Sequence, residues 1–297
     1  MTNISADYRA GYAAIIGKPN AGKSTLMNAL LNIKLSIISA RPQTTRKRVF
    51  GILNTDMSQV IFMDTPGLLK PKYQMQKKMM EYVDISLKDA DALILIVDVT
   101  DKIHPPQLDL NKLNPRQLPI ILVLNKIDLL PKPELLPLIE RYEKFYAFKG
   151  IIPISALKED GLKSLKEVLT GLMPYSAPYY PPDAITDQPE RFFVAELIRE
   201  RIFRTFYQEI PYSTEVFIED FQERKKGKDY ISATIIVEKK SQKGILIGKG
   251  GEALKKIGSD ARREIEKFLQ REVFLELRIK VQEDWRKSDL KLRQLGF

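Results

Sequence analysis

The residues from Gly17 to Ser24, GKPNAGKS, have a spacing that binds phosphate groups. They lie between the apolar run YAAIIG, which is typical of a buried strand, and STLMNALLN, which is typical of a helix. A glycine-framed loop at such a junction directs backbone N–H groups and the positive end of a helix dipole at an anion. The pattern G-x-x-x-x-G-K-S predicts a nucleoside triphosphate site in which Lys23 reaches the β- and γ-phosphates and Ser24 binds Mg²⁺. The predicted contact residues are Gly17, Lys18, Pro19, Asn20, Ala21, Gly22, Lys23, Ser24 and Thr25.

A carboxylate at the end of another apolar run is the next candidate. The run VIFM is followed by Asp64, Thr65, Pro66, Gly67 and Leu68. Asp64 is placed to hold a water on Mg²⁺, and the Gly67 N–H is placed to sense the γ-phosphate.

Two threonines, Thr44 and Thr45, lie in the polar stretch that precedes this run. Either can complete the Mg²⁺ shell when the triphosphate is bound, and we favour Thr45, with Thr44 as the alternative. The predicted metal ligands are Ser24, Thr45 and Asp64. The predicted catalytic residues are Lys23, Thr45, Asp64, Gly67 and Asn20.

Two further strand ends indicate which base is bound. In LVLNKIDLL, Asp128 can accept hydrogen bonds from both N1–H and the exocyclic amine of guanine. Adenine lacks that pair of donors and would leave the carboxylate unpaired, at a cost of about 1–3 kcal/mol. Lys126 can lay its aliphatic stem over the purine, and the Ala156 N–H in IPISALKEDG can donate to the guanine O6. The predicted base contacts are Asn125, Lys126, Ile127, Asp128, Ser155, Ala156 and Leu157.

The elements that position these motifs alternate from Tyr12 to about Leu172. The runs YAAIIG, VIFMDT, ALILIVDV, PIILVLN and IIPIS are typical of parallel strands buried on both faces, and helical segments lie between them. This order predicts an α/β fold with a doubly wound, mostly parallel sheet. Ligands bind at the carboxyl ends of such strands, and the phosphate loop follows the first of them.

The pattern changes after residue 173. Residues 174–190 are rich in proline and tyrosine and lack periodicity, which predicts a linker between a first domain of residues 1–173 and a second of residues 191–297. The second domain reads as a helix, two strands joined around RKKGK, a glycine-rich basic turn, a helix, a strand and a short helical tail. We predict a smaller α+β domain there.

The glycine-rich turn GKGG at residues 248–251 precedes a basic amphipathic helix. A G-x-x-G turn lets the backbone contact a phosphate chain beside a hydrophobic groove that takes about four unstacked bases. Residues 239–271 contain ten Lys or Arg against four Asp or Glu, so basic charge is concentrated where phosphates would bind. Ile247, Leu254 and Ile257 have spacings that face this groove or the core. The predicted RNA contacts are Ile247, Gly248, Lys249, Gly250, Gly251, Lys255, Lys256, Arg262 and Arg263.

The composition of the 297-residue chain limits the functional classes and the compartment that fit it. The net charge of +10 indicates an anionic partner such as RNA, DNA or a lipid surface. The chain has no cysteine, which excludes disulfides and thiol catalysis and fits a reducing cytosol. We see no signal peptide pattern, and the apolar runs are too short to span a bilayer. We therefore expect a cytoplasmic protein.

Five motifs occur in the order phosphate loop, threonine, D-x-x-G, N-K-x-D and S-A, and together they resemble those of the translation-factor-like GTPases over about residues 8–173. The resemblance implies that loops holding Thr45 and Gly67 are ordered by the γ-phosphate and relax on hydrolysis. Many GTPases place a water-orienting glutamine directly after D-x-x-G, whereas Leu68 stands here, as in GTPases that hydrolyse slowly with a partner's help. In several such relatives an asparagine at the position of Asn20 helps to hold K⁺, so the resemblance also implies K⁺-stimulated hydrolysis.

The order α-β-β-α-α-β of the second domain resembles the type II KH domain of RNA-binding proteins. A GTPase domain followed by this domain, at this length, resembles the Era family of bacterial ribosome-assembly GTPases over nearly the whole chain. The resemblance implies binding near the 3′ end of 16S rRNA during maturation of the 30S subunit, by a protein that we expect to be monomeric. It also implies peripheral contact with the anionic inner face of the cell membrane in some members. The alternatives are an RNA-binding module that uses nucleotide only as a structural ligand, which Leu68 keeps open, and a peripheral membrane GTPase.

Overall fold

The computed structural model describes residues 7–39, 41–105 and 108–297. These residues divide into two compact units. The first unit contains the described residues up to Ser36, together with Thr45–Lys70 and Met79–Asp187. The second contains the described residues of Ile37–Thr44, together with Pro71–Lys78 and Gln188–Phe297.

The first unit is built on a six-stranded sheet. Its strands are β1 (Arg9–Ile16), β2 (Val49–Asn54), β3 (Ser58–Asp64), β4 (Ala92–Asp98), β5 (Ile120–Asn125) and β6 (Gly150–Ile154), in the spatial order β2-β3-β1-β4-β5-β6. Only β2 runs antiparallel to its neighbour. Every residue of β3, β4 and β5 is buried, which explains their continuous apolar sequences. The predicted doubly wound, mostly parallel sheet is confirmed.

The register of this sheet brings the predicted nucleotide contacts to one edge. Ile15 pairs with Asp64, so β1 and β3 end close together, and Asn125 pairs with both Asp98 and Ile154, so β4, β5 and β6 end at one level. Helices α1 (Lys23–Leu31), α2 (Gln74–Asp89), α3 (Leu110–Leu113), α4 (Lys132–Glu143) and α5 (Leu162–Leu172) occur in this part of the chain. The loops that follow β1, β3, β5 and β6 therefore meet at this edge.

The proline-rich segment after α5 lies along the outer strands of the sheet over residues 174–187. The Gln59 side chain accepts from the Tyr179 and Tyr180 N–H groups at 2.7 and 3.0 Å. The Ile52 N–H donates to the Ile185 carbonyl at 2.8 Å. Proline lacks an N–H but keeps its carbonyl. A proline-rich segment can therefore accept hydrogen bonds from a sheet edge although its sequence has the composition of a linker.

The second unit contains a three-stranded sheet covered by helices on one face. Strands β7 (Glu215–Gln222), β8 (Asp229–Val237) and β9 (Val273–Val281) lie in this order, with β7 antiparallel and β9 parallel to β8. Its helices are α6 (Glu190–Thr205), α7 (Ile210–Ser213), α8 (Lys240–Ile247), α9 (Glu252–Leu269) and α10 (Asp289–Gln294). The predicted α-β-β-α-α-β order is observed, with the short α7 added after the first helix.

The core of the second unit joins α6 and α9 to the inner face of this sheet. Ile198, Ile235 and Ile265 are completely buried there. Trp285 is also buried, and its indole N–H donates to the Ser213 carbonyl at 3.0 Å, which ties the C-terminal segment to this unit. None of the helices in the described residues combines the length and apolar character needed to cross a bilayer.

Candidate functional site

Lys23 is enclosed by the phosphate-binding loop. Its side chain donates to the carbonyls of Gly17 at 3.2 Å and Lys18 at 2.9 Å, and the residue is only 6% exposed. Burial lowers the pKa of Lys23 to about 8, although the nearby Asp64 acts in the opposite direction. Lys23 is the first residue of α1, and the first N–H groups of this helix have no helical acceptor. A phosphate group at this position would meet both kinds of donor.

Gly22 closes this loop in a conformation that favours glycine. Its φ angle is 103°, and a Cβ on this residue would lie 2.2 Å from the Asn125 side-chain nitrogen. A larger residue would have to displace either the phosphate loop or the end of β5. The glycine of the sequence pattern is thus required by the backbone angle and by packing.

The three predicted metal ligands lie within hydrogen-bonding distance of one another. Ser24 Oγ is 2.8 Å from Thr45 Oγ1 and donates to Asp64 Oδ2 at 2.8 Å. The Thr45 hydroxyl donates to the same carboxylate oxygen at 3.3 Å. All three residues are buried. Thr45, rather than Thr44, is the threonine whose hydroxyl joins this cluster.

The Asp64 carboxylate has the character of a cation ligand. Burial raises its pKa, and the Lys23 charge and the hydroxyls of Ser24 and Thr45 oppose that rise. Its Oδ1 atom is buried and accepts no hydrogen bond from any residue that the structure describes. A buried acceptor without a donor is costly, and Mg²⁺ prefers oxygen ligands of this kind. The cluster therefore fits Mg²⁺.

The D-x-x-G segment after β3 contacts the phosphate loop through its backbone. The Leu68 N–H donates to the Gly17 carbonyl at 3.0 Å. The Thr65 hydroxyl donates to the Ile15 carbonyl at 2.7 Å and so turns toward β1 instead of the nucleotide edge. Of the other predicted contacts near the phosphates, Ala21, Pro66 and Gly67 are buried, Pro19 and Thr25 are half-buried, and Asn20 is exposed.

Asn125 joins the two loops that were predicted to hold phosphate and base. Its amide donates to the Ala21 carbonyl at 2.8 Å and accepts from the Ala156 N–H at 3.0 Å. The Ala156 N–H, which we predicted to recognise guanine O6, is therefore engaged with Asn125 in this structure. The Leu157 N–H follows it in the same loop, and the Leu157 side chain is 72% exposed.

We expect Asn125→Ala to lower both the stability of the first unit and its nucleotide affinity. The change leaves the Ala21 carbonyl and the Ala156 N–H without partners, at a cost of about 3 kcal/mol in unfolding free energy. Guanidinium unfolding and titration with a fluorescent guanine nucleotide measure the two effects.

Asn114→Ala is the matched control for this prediction. The Asn114 side chain makes the same pair of bonds to the Leu118 N–H and carbonyl, at 2.9 and 2.8 Å, before the opposite end of β5. This variant should lose stability and keep its nucleotide affinity. Equal losses of affinity in the two variants would contradict the bridging role of Asn125.

The carboxylate predicted to read guanine is held by a serine. Ser155 Oγ donates to Asp128 Oδ1 at 2.6 Å. Asp128 is exposed and Ile127 is half-buried, so the carboxylate is accessible to a base. Ser155 thus orients the aspartate, which the S-A motif alone does not indicate.

Two carboxylates in this region were missed by the sequence analysis. Asp98, the last residue of β4, contacts the Lys126 ammonium, and this pairing lowers the pKa of Asp98 although burial opposes it. Asp101 lies 3.2 Å from the Lys18 ammonium. Their signal in the sequence is the repeated aspartate in VDVTD after an apolar run, which has no defined motif spacing.

A groove of about 620 Å³ lies between α9 and β9 in the second unit. Its basic residues include Lys228, Lys255 and Arg262. Its apolar wall is formed by Leu254, Val273, Phe274, Leu275 and Leu277. The rest of its lining is Gly251, the residue before α9, and Gly258 and Ser259 of α9. A groove with an apolar wall and cations on its rim suits unstacked bases and their phosphates.

The predicted RNA contacts fall into three groups around this groove. Gly251, Lys255 and Arg262 line it, while Ile247, Gly248, Lys249 and Gly250 form the turn that leads into α9. Lys256 and Arg263 are exposed on α9 and do not line it. Leu254 lines the groove and also packs against the core, whereas Ile257 is buried in the core. The wall supplied by β9 was not predicted, because its alternating sequence is that of an ordinary strand.

The sequence matches two known families. Residues 12–126 match a family described as 50S ribosome-binding GTPase, and residues 209–286 match the KH domain. The chain is 46% identical to the GTPase Era of Geotalea uraniireducens over 291 residues, which cover 98% of each chain. This chain belongs to the Era family of GTPases.

Other relatives agree with this assignment. The Era of Syntrophus aciditrophicus is 44% identical over 98% of this chain and 95% of its own. A solved structure of an Aquifex aeolicus Era variant bound to GDP·AlF4⁻ is 40% identical, covers 97% of this chain, and superposes with a TM-score of 0.93. Era bound to MgGDPNP and nucleotides 1506–1542 of 16S rRNA has the same identity, coverage and TM-score. The predicted GTPase activity, the GTPase domain and the C-terminal KH domain are confirmed.

Proposed function

We propose that this Era-family GTPase binds GTP, holds 16S rRNA near its 3′ end during 30S assembly, and is reset by hydrolysis. One observation carries the proposal: a single chain contains a phosphate loop with an oxygen cluster suited to Mg²⁺ and a basic groove beside a G-x-x-G turn. The relative solved with MgGDPNP and 16S rRNA nucleotides supports it.

The phosphate loop and the oxygen cluster would divide the work on the triphosphate. Lys23 would bind the β- and γ-phosphates from its buried position, and the N–H groups at the start of α1 would surround them. Ser24, Thr45 and Asp64 would hold Mg²⁺, with Asp64 acting through a water. The ion, when bound, would neutralise negative charge on the phosphates. The Gly67 N–H would sense the γ-phosphate.

Guanine selection would rest on Asp128 in the orientation that Ser155 imposes. Asn125 would hold the two loops at the correct separation, and the Lys126 stem would cover the purine while its ammonium contacts Asp98. The loop of Ser155–Leu157 would supply the N–H that donates to the guanine O6.

Hydrolysis would be slow without help, because Leu68 cannot orient the attacking water. We expect K⁺ to stimulate hydrolysis through a site that includes Asn20, which is an exposed residue of the phosphate loop with a φ angle of 65°. A fixed cation next to the transferring phosphoryl group would raise the rate by at least about tenfold.

Phosphate release, measured in K⁺ and in Na⁺ buffers of equal ionic strength, tests this expectation. Asn20→Ala should hydrolyse GTP at the Na⁺ rate in both buffers, whereas Gln43→Ala, a control residue with a similar φ angle of 62°, should keep the K⁺ response. Equal rates for the unmodified protein in the two buffers would rule out the K⁺ proposal.

The RNA would bind along the groove of the second unit. The backbone of residues 248–251 would contact phosphates, and Leu254 would pack against unstacked bases. Lys255 and Arg262 line the groove and would neutralise the nearest phosphates. Lys249, Lys256 and Arg263 are exposed around it and would add longer-range attraction.

The decisive experiment measures RNA affinity in two nucleotide states. The protein is loaded with GDP or a non-hydrolysable GTP analogue and titrated with a fluorescent single strand from the 16S rRNA 3′ end. We expect the analogue to tighten RNA binding several-fold and Gly250→Asp to weaken RNA binding by about a hundredfold. Tight RNA binding that does not depend on the bound nucleotide would favour the alternative, in which the protein is an RNA-binding module and the nucleotide is only a structural ligand. Leu68 leaves this alternative open.

We place this function in the cytoplasm, on a monomeric protein. Peripheral contact with the anionic inner membrane face would use the same basic surface as RNA. Flotation with anionic vesicles at physiological salt, with and without competing RNA, distinguishes the two partners. Vesicle binding that RNA does not displace would contradict a shared surface.

A further inference from the structure

The carboxylate of Asp98, at the end of β4, contacts the lysine of the N-K-x-D motif. Asp98 pairs with Asn125 in the β4–β5 register, and Lys126 follows Asn125 directly. The Val99 N–H donates to the Asn125 carbonyl at 3.0 Å, which continues the pairing beyond the strand ends. This bond keeps the Lys126 backbone close to Asp98. The Lys126 ammonium reaches one oxygen of the carboxylate, Oδ2.

The other oxygen of the Asp98 carboxylate is held by Thr100. The Thr100 N–H and hydroxyl donate to Asp98 Oδ1 at 2.9 and 2.7 Å. The two oxygens therefore have separate tasks, because Oδ1 fixes the orientation of the carboxylate and Oδ2 receives the ammonium. Burial disfavours the ionised form, but the Lys126 ammonium and the Thr100 donors outweigh burial and lower the pKa of Asp98. The carboxylate is consequently ionised at neutral pH.

Both ends of the Lys126 side chain are fixed. Its backbone has a φ angle of 70°, in a region that residues with a Cβ seldom adopt, and its carbonyl accepts from the Leu129 N–H at 2.9 Å. Lys126 directly precedes the short helical turn Ile127–Leu129, which contains Asp128. The Lys126 side chain is 32% exposed. It therefore forms a fixed and accessible surface next to the carboxylate that reads the base.

A lysine that is ordered in advance binds a base more tightly than a mobile one. Lysine is among the side chains that lose most rotational freedom when they become ordered. Where the protein has already imposed that order, the loss does not oppose binding of the ligand. The aliphatic stem of Lys126 can cover one face of a purine, whereas Asp128 meets its edge. The face contact affects how firmly the base is held, and the edge contact affects which base is chosen.

A second aspartate in the same loop is less suited to this role. Asp101 lies three residues after Asp98, and its carboxylate is 3.2 Å from the Lys18 ammonium. The side chains of this pair are 36% and 41% exposed, so water screens their attraction. The Asp98 side chain is only 12% exposed. Burial and the two Thr100 donors thus distinguish Asp98 from its neighbour.

We propose that Asp98 is a positioning residue for the purine. It holds the Lys126 stem across the base site before the nucleotide binds, and it thereby slows the release of GDP. Asp98 acts through Lys126, while Thr100 orients Asp98 itself. The proposal rests on the proposed binding of guanine at Asp128, and it adds a residue that controls how long the nucleotide is retained. Because GDP must leave before GTP can bind, Asp98 would also control how quickly the protein is reloaded.

The release of a fluorescent GDP analogue into excess unlabelled GDP, followed by stopped flow, tests the proposal on the full chain. Asp98→Asn should release the analogue about tenfold faster, because a neutral amide holds the ammonium less firmly. The affinities for GTP and inosine triphosphate should fall by the same factor, since the two bases offer similar faces to the stem. Hydrolysis at saturating GTP should keep its rate, because no phosphate contact is changed.

A second substitution shows whether Asp98 acts through Lys126. Lys126→Met keeps an unbranched apolar side chain and removes the ammonium. In this background, Asp98→Asn should not accelerate GDP release further. A carboxylate that only stabilised the fold would have the same effect in both backgrounds.

Asp89→Asn is the matched control for the change of charge. Asp89 is the last residue of α2, and its carboxylate lies 2.5 Å from the Arg48 guanidinium. The substitution also removes a carboxylate from an ion pair of the first unit, at a site that contains none of the predicted nucleotide contacts. GDP release should stay within about twofold of normal.

The outcomes separate this proposal from the function on which it rests. If the unmodified protein binds guanine nucleotides and Asp98→Asn releases GDP at the normal rate, the role of Asp98 is wrong and guanine recognition stands. The same conclusion follows if the effect persists in Lys126→Met. A greater loss of affinity for GTP than for inosine triphosphate would mean that Asp98 positions Asp128 instead, which also overturns the proposal. If the unmodified protein binds no guanine nucleotide, the proposed function is wrong and the role of Asp98 fails with it.

Discussion

Asp128→Asn is expected to reduce GTP affinity by about a thousandfold and to make xanthosine triphosphate the preferred nucleotide. The aspartate offers two acceptor oxygens, which match the N1–H and exocyclic amine of guanine. Asparagine offers one acceptor and one donor, and xanthine carries N1–H beside a carbonyl at the position of that amine. The Ser155 hydroxyl, 2.6 Å from Asp128 Oδ1, can still donate to the amide oxygen and orient the new side chain. Competition of each nucleotide against a fluorescent guanine nucleotide measures the change.

Asp160→Asn is the matched control for this exchange. Asp160 is exposed, and its backbone pairs with that of Ser155 in the same loop. The substitution makes the same change of charge without touching the base-reading carboxylate, so nucleotide preference should not change. A GTP affinity within about threefold of normal in Asp128→Asn would show that another group reads the base.

Gly250→Asp is expected to weaken RNA binding by about a hundredfold and to leave GTP hydrolysis without RNA unchanged. A Cβ at this residue meets no heavy atom within 4 Å, so the added side chain does not disturb packing. The φ angle of 59° is one that Asp tolerates at modest cost. The loss therefore comes from a carboxylate placed on the turn that contacts phosphates. Anisotropy with a 16S rRNA single strand measures it.

Gly250→Asn separates charge from shape at this turn. Asparagine has nearly the same size as aspartate and also tolerates a positive φ angle, but it carries no charge. It should retain most of the affinity that Gly250→Asp loses. Equal losses in the two variants would mean that steric contact dominates, and normal binding in both would mean that the turn does not contact RNA.

The nucleotide motifs could be predicted because each is a continuous stretch at the end of a strand. Their backbone conformation and their chemistry are encoded by neighbouring residues, as in the loop that Gly22 closes and the aspartate that ends β3. The partners of Lys126 and Lys18 could not be predicted, because Asp98 and Asp101 come from another strand end and have no fixed spacing. The bond between Asn125 and Ala156 is hidden for the same reason.

The RNA groove was predictable only on its helical side. The G-x-x-G turn and the cations of α9 are visible as a local pattern, whereas Phe274 and Leu275 lie on a strand whose alternation indicates nothing beyond a half-buried sheet. For residues 174–187, in contrast, the sequence indicates less order than the structure has. Their composition is that of a free linker, and their hydrogen bonds are made mostly to strands more than one hundred residues earlier in the chain.

The same segment determines how the first unit can be isolated. Strand β2 is an edge strand of its sheet, and this edge is occupied where the Ile52 N–H donates to the Ile185 carbonyl and the Phe50 carbonyl accepts from the Thr186 hydroxyl. An uncovered edge of this kind recruits extended chains from other molecules. A fragment that stops at residue 173 should therefore aggregate as it is concentrated, whereas a fragment that ends at residue 187 should stay dispersed.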